Sequence, residues 1–587
     1  MFLIGTDSAL SALEYWSEAE KSRFNLQDGP GGIEPRDPSE ARKMLDLEME
    51  AVELVMSSLR TRCNALVPVN RLPSEVLVHV FYLLRRIYVP LKKRDPEVAK
   101  LSVPSQIIGW VQVTHVCRQW RNVALENPTL WSDIPFILGD RWTTEFFARS
   151  QAAPIVIDHN MPRYIPWTGD VENFATSVAQ HLWRTQELGL IATPADFARV
   201  LPSLVGGPAP LLEKAVIVHS TPVAAPLDGL LVWPPDAFSR LVPRLRHLRL
   251  WFWRFSWESI TYETLVHLDI KGLDVDPEPT LREGLGLLLA ALDKMPHLEV
   301  LKIDDVLPPP PPDATPDSVC GPTITCPNLH TFHLSDDIRN CGLALNHIVV
   351  PATADHQISC TKSDNGCAFV LPWLHTRAKQ LPPLRHLSFS GDSTMLMMTA
   401  SHTDVVYPRQ GKEPFRIKFV SEAGLLLPLM QEICSMVSLS DIETFTSAVD
   451  DGLSAEDWST ILGECKRLRS VEVNAFHGGG IYICELLLAT TISSEGRGEP
   501  LYPFFEELMI VNVHFRLGYE FDRLLELLER RQPLKKLIIE YCSIDAALVD
   551  KLRSVVDMVE WDGHEHDQSE YYEEDEDGEE DEQAEAS

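Results

Sequence analysis

The chain has 587 residues, enough for three to four domains at about 100–200 residues each, or fewer if one part is an elongated repeat array. With 45% apolar and 23% charged residues it has the composition of a globular protein with ample core, and its 43 prolines predict many short elements separated by breaks. A net charge of −33 argues against a protein that tracks nucleic-acid phosphates.

Met1 to Trp16 carries acidic residues and no basic region ahead of an apolar run, so it does not read as a secretory signal. The most apolar run, Leu285 to Leu292, falls far short of the roughly 20 residues a bilayer span needs. The expectation is a cytoplasmic or nuclear protein with no membrane partner. Its 11 cysteines, odd in number and scattered, then read as free thiols.

In chain order, residues 1–36 lack clear periodicity, end in Asp28-Gly29-Pro30-Gly31-Gly32, and are expected to be poorly structured. Residues 37–63 predict an amphipathic helix. Asp37 can cap it, Pro38 suits the first position, and Glu40 stands three after the cap. Met44, Leu45, Leu47, Ala51, Val52, Leu54, Val55 and Leu59 follow at helical spacing. A short coiled coil is one reading, but a candidate seam carries Glu48, so packing against the next domain is preferred.

Residues 70–134 form a compact block. It opens Asn70-Arg71-Leu72-Pro73-Ser74-Glu75-Val76-Leu77, with Pro73 suited to a first turn and Glu75 to its positive end. Val76, Leu77, Val80, Phe81 and Leu84 are expected on one helical face. A second apolar run spans Ile107 to Val113, and a third segment runs from Thr114 to Ala124 until Asn127-Pro128 closes it. Three short helices make a poor independent core, so such a unit calls for a partner, with tryptophan a typical anchor.

These residues resemble the F-box, whose pattern begins Leu-Pro-x-Glu-(Ile/Val)-Leu and continues with Val-Cys-(Arg/Lys)-x-Trp and Pro-x-Leu-Trp. The matches are Leu72, Pro73, Glu75, Val76, Leu77, Val80 and Phe81, then Val116, Cys117, Arg118, Trp120, Ala124, Pro128, Leu130 and Trp131. The preceding long helix and the Arg-Leu-Pro-Ser-Glu start look like the F-box families of mushroom-forming fungi. The resemblance implies a three-helix domain that binds the Skp-type adaptor of an SCF-type cullin ubiquitin ligase. Leu72, Pro73, Glu75, Leu77, Val80, Phe81, Val116, Cys117, Trp120 and Trp131 would supply the contact. The chain departs from the family in length: Leu72 to Trp131 spans 60 residues, with an apparent insertion near Arg85 to Ser105.

Residues 135–240 read as irregular linker or degenerate first repeats, with one degenerate copy at Leu212, Ala215 and Ile217. Over 241–556 a loose repeat recurs, in the form Leu, two positions, Leu, any, Leu or Ile. It is seen at Leu245-Leu248-Leu250, Leu265-Leu268-Ile270, Leu298-Leu301-Ile303 and Leu329-Phe332-Leu334. Further copies are Leu384-Leu387-Phe389, Leu468-Val471-Val473, Phe505-Leu508-Ile510 and Leu534-Leu537-Ile539. The last two apolar residues of each copy share one face of a short strand, and stacked copies build a continuous core. The pattern resembles leucine-rich repeats. The fold class is therefore α/β overall: a small all-α F-box followed by an irregular leucine-rich-repeat-like α/β solenoid. An ordinary α/β domain with leucine-rich parallel strands is the alternative. The first five starts are 20, 33, 31 and 55 residues apart, so an eroded repeat or an inserted loop lies in the longest gap.

Residues alternating with the core positions would face a target: His247, Arg249, Trp251, His267, Asp269, Lys271, Lys302 and His333. Trp251, Trp253 and Trp257 are either a binding hot spot or core filling. Glu560 to Ser587 holds 15 acidic residues and no Lys or Arg, the composition of a solvated, disordered tail.

No phosphate-binding loop or dinucleotide fingerprint occurs. His477-Gly478-Gly479-Gly480 lacks a partner Gly-x-Ser-x-Gly elbow, and Cys320, Cys326, Cys360 and Cys367 lack zinc-site spacing. His564-Glu565-His566 is no closed ligand set. The expectation is a non-catalytic adaptor without cofactor or metal, binding the Skp-type adaptor and an unidentified protein target. The alternative is an interaction scaffold whose F-box has decayed.

Overall fold

The computed structural model describes residues 6–25, 38–90, 108–159, 171–220, 231–272, 284–310, 315, 322–362, 367–380, 383–392, 394–402, 415–420, 426–449, 453–474, 480–488, 490–492, 498–513, 515, 519–530 and 534–564. The chain divides into two units, Met1–Gln151 and Ala152–Ser587. The acidic run from 565 onward and the histidine–glycine run at 477–479 lie outside the described residues.

The first unit is built of helices: α1 Thr6–Asn25, α2 Pro38–Leu66, α3 Ser74–Ile87, α4 Arg118–Leu125 and α5 Asp140–Ser150, with short 3-10 turns at Gly109–His115 and Pro128–Trp131. α1 corrects the expectation of a poorly structured start. Among its described side chains Leu13, Tyr15 and Trp16 are exposed. Strong helix formers such as Ala9, Leu10, Ala12, Glu14, Glu18, Ala19 and Lys21 account for the helix. α2 also differs from expectation: Leu45, Val52 and Leu54 are not covered by the next domain but stand exposed.

The second unit is a mixed α/β body around one 16-stranded, mostly parallel sheet. Its strands are β1 Ile155–His159, β2 Thr185–Ala192, β3 Lys214–His219, β4 His247–Trp251, β5 His267–Lys271, β6 Val300–Asp304, β7 Thr331–Asp337 and β8 Asp355–Thr361. They continue as β9 His386–Gly391, β10 Met395–Ser401, β11 Phe415–Val420, β12 Thr444–Val449, β13 Ser470–Asn474, β14 Glu507–Val511, β15 Lys536–Glu540 and β16 Met558–Trp561. β1 to β8 lie side by side in chain order, and β12 to β16 do the same. Right-handed crossovers added always in one direction put their connections on one face of a sheet and leave the other without them.

All eight repeat copies coincide with strands, and the leading apolar residue of each, from Leu245 to Leu534, is buried. The following pairs are aligned across neighbours, Leu248 with Leu268 and Leu301, then Leu250 with Ile270 and Ile303. All six are fully buried. The sheet begins well before residue 241, because β1 to β3 fall in the stretch read as irregular; Ala215 and Ile217 of the degenerate copy are core residues of β3. It also runs past 556, since β16 takes Glu560 and Trp561 out of the tail.

The long gap after Leu334 holds a strand without the leucine signature. In β8, His356 aligns with Phe332 and Ile358 with Leu334. His356 is 1% exposed and meets the guanidinium of Arg377, which also donates to the carbonyls of Val350 and Pro351 at 3.2 and 2.8 Å. Burial pushes the Arg377 guanidinium down to about 10. A second departure follows. β10 and β11 are inserted between β8 and β9, and β10 runs antiparallel to both of its neighbours.

Cys63, Cys117, Cys326, Cys341, Cys434, Cys465, Cys484 and Cys542 are in no disulfide. Burial pushes the thiols of Cys434, Cys465 and Cys484 up to about 12, so they are inert packing groups. Trp253 and Trp257 are core filling as well, each 3% exposed.

Candidate protein-docking surface

Two surfaces gather the predicted residues, one in each unit. In the first, Pro73 precedes α3, Glu75 lies in its first turn, and Arg85 and Arg86 in its last, matching the helix dipole at both ends. Arg85 is fixed by donating to the Thr129 carbonyl at 2.7 Å and the Ser132 hydroxyl at 2.8 Å, and it pairs with Asp133 at 3.2 Å. Leu77 and Phe81 point inward and are fully buried, with the Phe81 ring 5.1 Å from Trp120.

A second aromatic cluster joins Trp110, Trp131 and Phe146 at centroid distances of 4.9–6.2 Å. Trp131 Nε1 donates to the Ala124 carbonyl at 2.8 Å, and Arg149 lies 4.2 Å over its ring. Trp120 Nε1 donates to Asn70 Oδ1 at 2.7 Å, and Gln119 to the Asn70 carbonyl at 2.9 Å, tying α4 to the turn before α3. Cys117 caps α4, its sulfur accepting from the Trp120 amide at 3.5 Å.

The predicted contact residues differ in exposure. Leu77, Phe81 and Trp131 hold the unit together and have no surface to offer a partner. Trp120 and Cys117 are partly covered. Leu72, Pro73, Glu75, Val80 and Val116 remain exposed. They are joined by residues the sequence reading placed otherwise or left out: Val76, Leu83 and Ile87, 43%, 46% and 72% exposed. Within α3, Val76, Val80, Leu83 and Ile87 recur every three or four residues and so form one stripe, with Leu72 exposed in the extended approach to the helix; the stripe lies roughly a quarter-turn from the line of buried Leu77 and Phe81 and half-buried Leu84. Reading the apolar positions of α3 as two stripes rather than one wide face would have found them.

The apparent insertion meets at a closed neck. The Trp110 amide donates to the Tyr88 carbonyl at 2.8 Å. Gly109 adopts φ +53° so close to that strand of chain that a Cβ would lie 2.4 Å from the Tyr88 oxygen. Residues 91–107 lie outside the described residues, yet the points where they leave and rejoin are side by side.

In the second unit, all eight predicted target-facing residues come together on one face of β4 to β7. Arg249, Asp269, Lys302 and His333 form one row, His247 and His267 a second, Trp251 and Lys271 a third. Asp269 is its hub, accepting from Arg249 Nε at 2.9 Å and Trp251 Nε1 at 2.8 Å. Burial raises its carboxyl, but the bonds from His267 and Trp251 and the bond and charge of Arg249 outweigh that and hold it at about 2. Lys271 pairs with Asp304 at 2.5 Å. His247 and His333 are pushed down, mainly by burial, so both are neutral at pH 7. The patch is polar, held by its own internal bonds and edged by Trp251. Among the described residues no group of three or more His, Cys, Asp or Glu is placed to hold a metal ion, and no helix is long and apolar enough to cross a membrane.

Residues 69–136 match the F-box-like family. The matched stretch coincides with α3, α4 and the turns that pack on them. The chain thus carries an F-box-like domain, the hallmark of F-box proteins. No curated protein matches the chain.

Proposed function

We propose that this chain is a non-catalytic substrate-recognition subunit of an SCF-type cullin ubiquitin ligase, docking a Skp-type adaptor through α3 and its surroundings and a target protein through the second unit. The observation that carries the reading is the exposed α3 stripe of Val76, Val80, Leu83 and Ile87, with exposed Leu72 just before it, on the F-box-like domain. An apolar stripe on a helix whose other apolar line is already buried calls for a partner helix. The closed neck at Tyr88 and Gly109 keeps the extra segment from separating α3 from α4. The second unit, read as a leucine-rich-like repeat array, presents the Arg249–Asp269–Lys302–His333 face as the place for the target. The chain would act by raising the local concentration of target lysines beside the ubiquitin-charged carrier.

Co-purification of the full chain with a Skp-type adaptor tests this. Val76→Asp with Val80→Asp should cut adaptor binding more than about a hundredfold, while stability stays within about 0.5 kcal/mol because both side chains are on the surface. Leu77→Ala should instead destabilise the unit by about 2–5 kcal/mol. Undiminished adaptor binding by the double variant, or none by the folded wild-type chain, would sink the proposal.

A further inference from the structure

α2 carries a long apolar line whose described side chains stand exposed. Leu45, Met49, Val52, Met56, Leu59 and Cys63 follow one another at spacings of four, three, four, three and four, and Leu66 extends the series. This is an unbroken heptad seam of about three repeats, distinct from the line through Glu48. Leu45, Met49, Val52, Met56 and Leu59 are 40–63% exposed, and Cys63 is exposed too. The unit's own polar contacts to α2 meet its flanks and its C-terminal end, including Arg23 at Glu48 beside the seam and Arg71 at the Leu66 carbonyl. Arg118 donates to Ser57 Oγ at 3.2 Å and Asn70 to the Asn64 carbonyl at 2.7 Å, and Ser57 and Asn64, seven residues apart, lie on the flank away from the seam.

We infer that α2 is a dimerisation helix, pairing antiparallel with α2 of a second copy of this chain. The charges beside the seam select both the occupant and its direction. Asp46, Glu53 and Arg60 line one edge, Glu48, Val55 and Arg62 the other. In an antiparallel pair centred near Glu53 and Val55, Leu45 meets Cys63 of the second copy, Met49 meets Leu59, and Val52 meets Met56. Asp46 then faces Arg60, and Glu48 faces Arg62. By symmetry each favourable pair occurs twice, against one central meeting of Glu53 with its own copy. A parallel pair would instead set Glu48 against Glu53 twice and leave both arginines without acidic partners. Glu48 also accepts from Arg23 of α1 at 2.6 Å, and a carboxylate has acceptor sites for both arginines. A self-complementary charge pattern of this kind fits a second copy better than an unrelated helix.

Sedimentation of the full chain over a range of concentrations, paired with thiol crosslinking, tests the inference. The wild type should pass from monomer to dimer as concentration rises, more weakly at high salt. Leu45→Ser with Val52→Ser and Leu59→Ser should abolish the dimer with helicity of the folded protein retained. Leu47→Ser with Leu54→Ser, on the opposite side of α2, should leave it intact. With a short bis-maleimide, Leu45→Cys should give a crosslinked dimer that disappears in Leu45→Cys with Cys63→Ser. A wild type that is monomeric throughout overturns the inference, as does a dimer that survives the seam variant or is lost in the opposite-side one. A Cys63-to-Cys63 crosslink in the wild type, without the Leu45→Cys product, overturns the antiparallel direction.

Discussion

His219, the last residue of β3, is 1% exposed and packed between the rings of Trp253 at 4.0 Å and Phe197 at 4.8 Å. Neither ring nitrogen has a hydrogen-bond partner. Burial holds its pKa down at about 4. The unfolded chain therefore binds the extra proton between about 6.5 and 4, so the stabilisation from a neutral His219 is complete above about 6.5 and lost as pH falls through about 4. The full effect is about 3 kcal/mol, of which about 2 kcal/mol falls between pH 7 and pH 5. His181, brought to about 4 by burial and the neighbouring Arg184, works in the same direction. His219→Phe should match or exceed the wild type at pH 5, because it removes a buried, unpaired polar group. Urea midpoints at the two pH values check this: the gap between variant and wild type should widen at pH 5, and equal pH slopes would contradict it.

At the scale of elements, α3 carries two apolar lines with different fates. Its Leu77 and Phe81 line is spent on the unit's own core, and the neighbouring stripe is left outside. The extra segment between α3 and the following turn is separable for a geometric reason, since Tyr88 and Gly109 already touch. Replacing residues 91–107 by a short Gly-Ser linker should shift the thermal midpoint of the first unit by no more than a few degrees and leave adaptor binding unchanged. A loss of either, read by calorimetry and by pull-down, would show that the segment itself supports the fold or the contact. Gly109→Val should be far more damaging, because both its positive φ and the 2.4 Å approach to Tyr88 forbid a side chain.

On the scale of the whole chain, the proposed adaptor and target surfaces belong to different units, so their variants should behave independently. Asp269→Arg with Lys302→Glu inverts the central row of the sheet face and should alter the set of captured target proteins while leaving adaptor binding intact. Val76→Asp with Val80→Asp should do the reverse. Proximity labelling under proteasome inhibition, compared across the two variants, reads both effects. A shared change in both partner classes would contradict the division.

The sequence by itself determined the elements that depend on local chemistry. Repeated Leu-x-x-Leu-x-Leu spacing placed eight strands and their buried positions, because alternation on a strand decides which side chains share a face. The Leu72–Phe81 and Val116–Trp131 runs located the F-box-like block through their match to the family's pattern. Only tertiary structure decided what each apolar residue is used for. Leu77 and Phe81 are buried where Val76 and Val80 are not, although local spacing offers them as one face. β8 was illegible because the buried His356 stands where a leucine is expected, and its place in the core depends on distant Arg377. The reversal at β9 to β11 is a matter of pairing between strands, which no local pattern encodes. The exposure of α2 likewise follows from what fails to pack on it, and that is a property of the folded unit rather than of the helix.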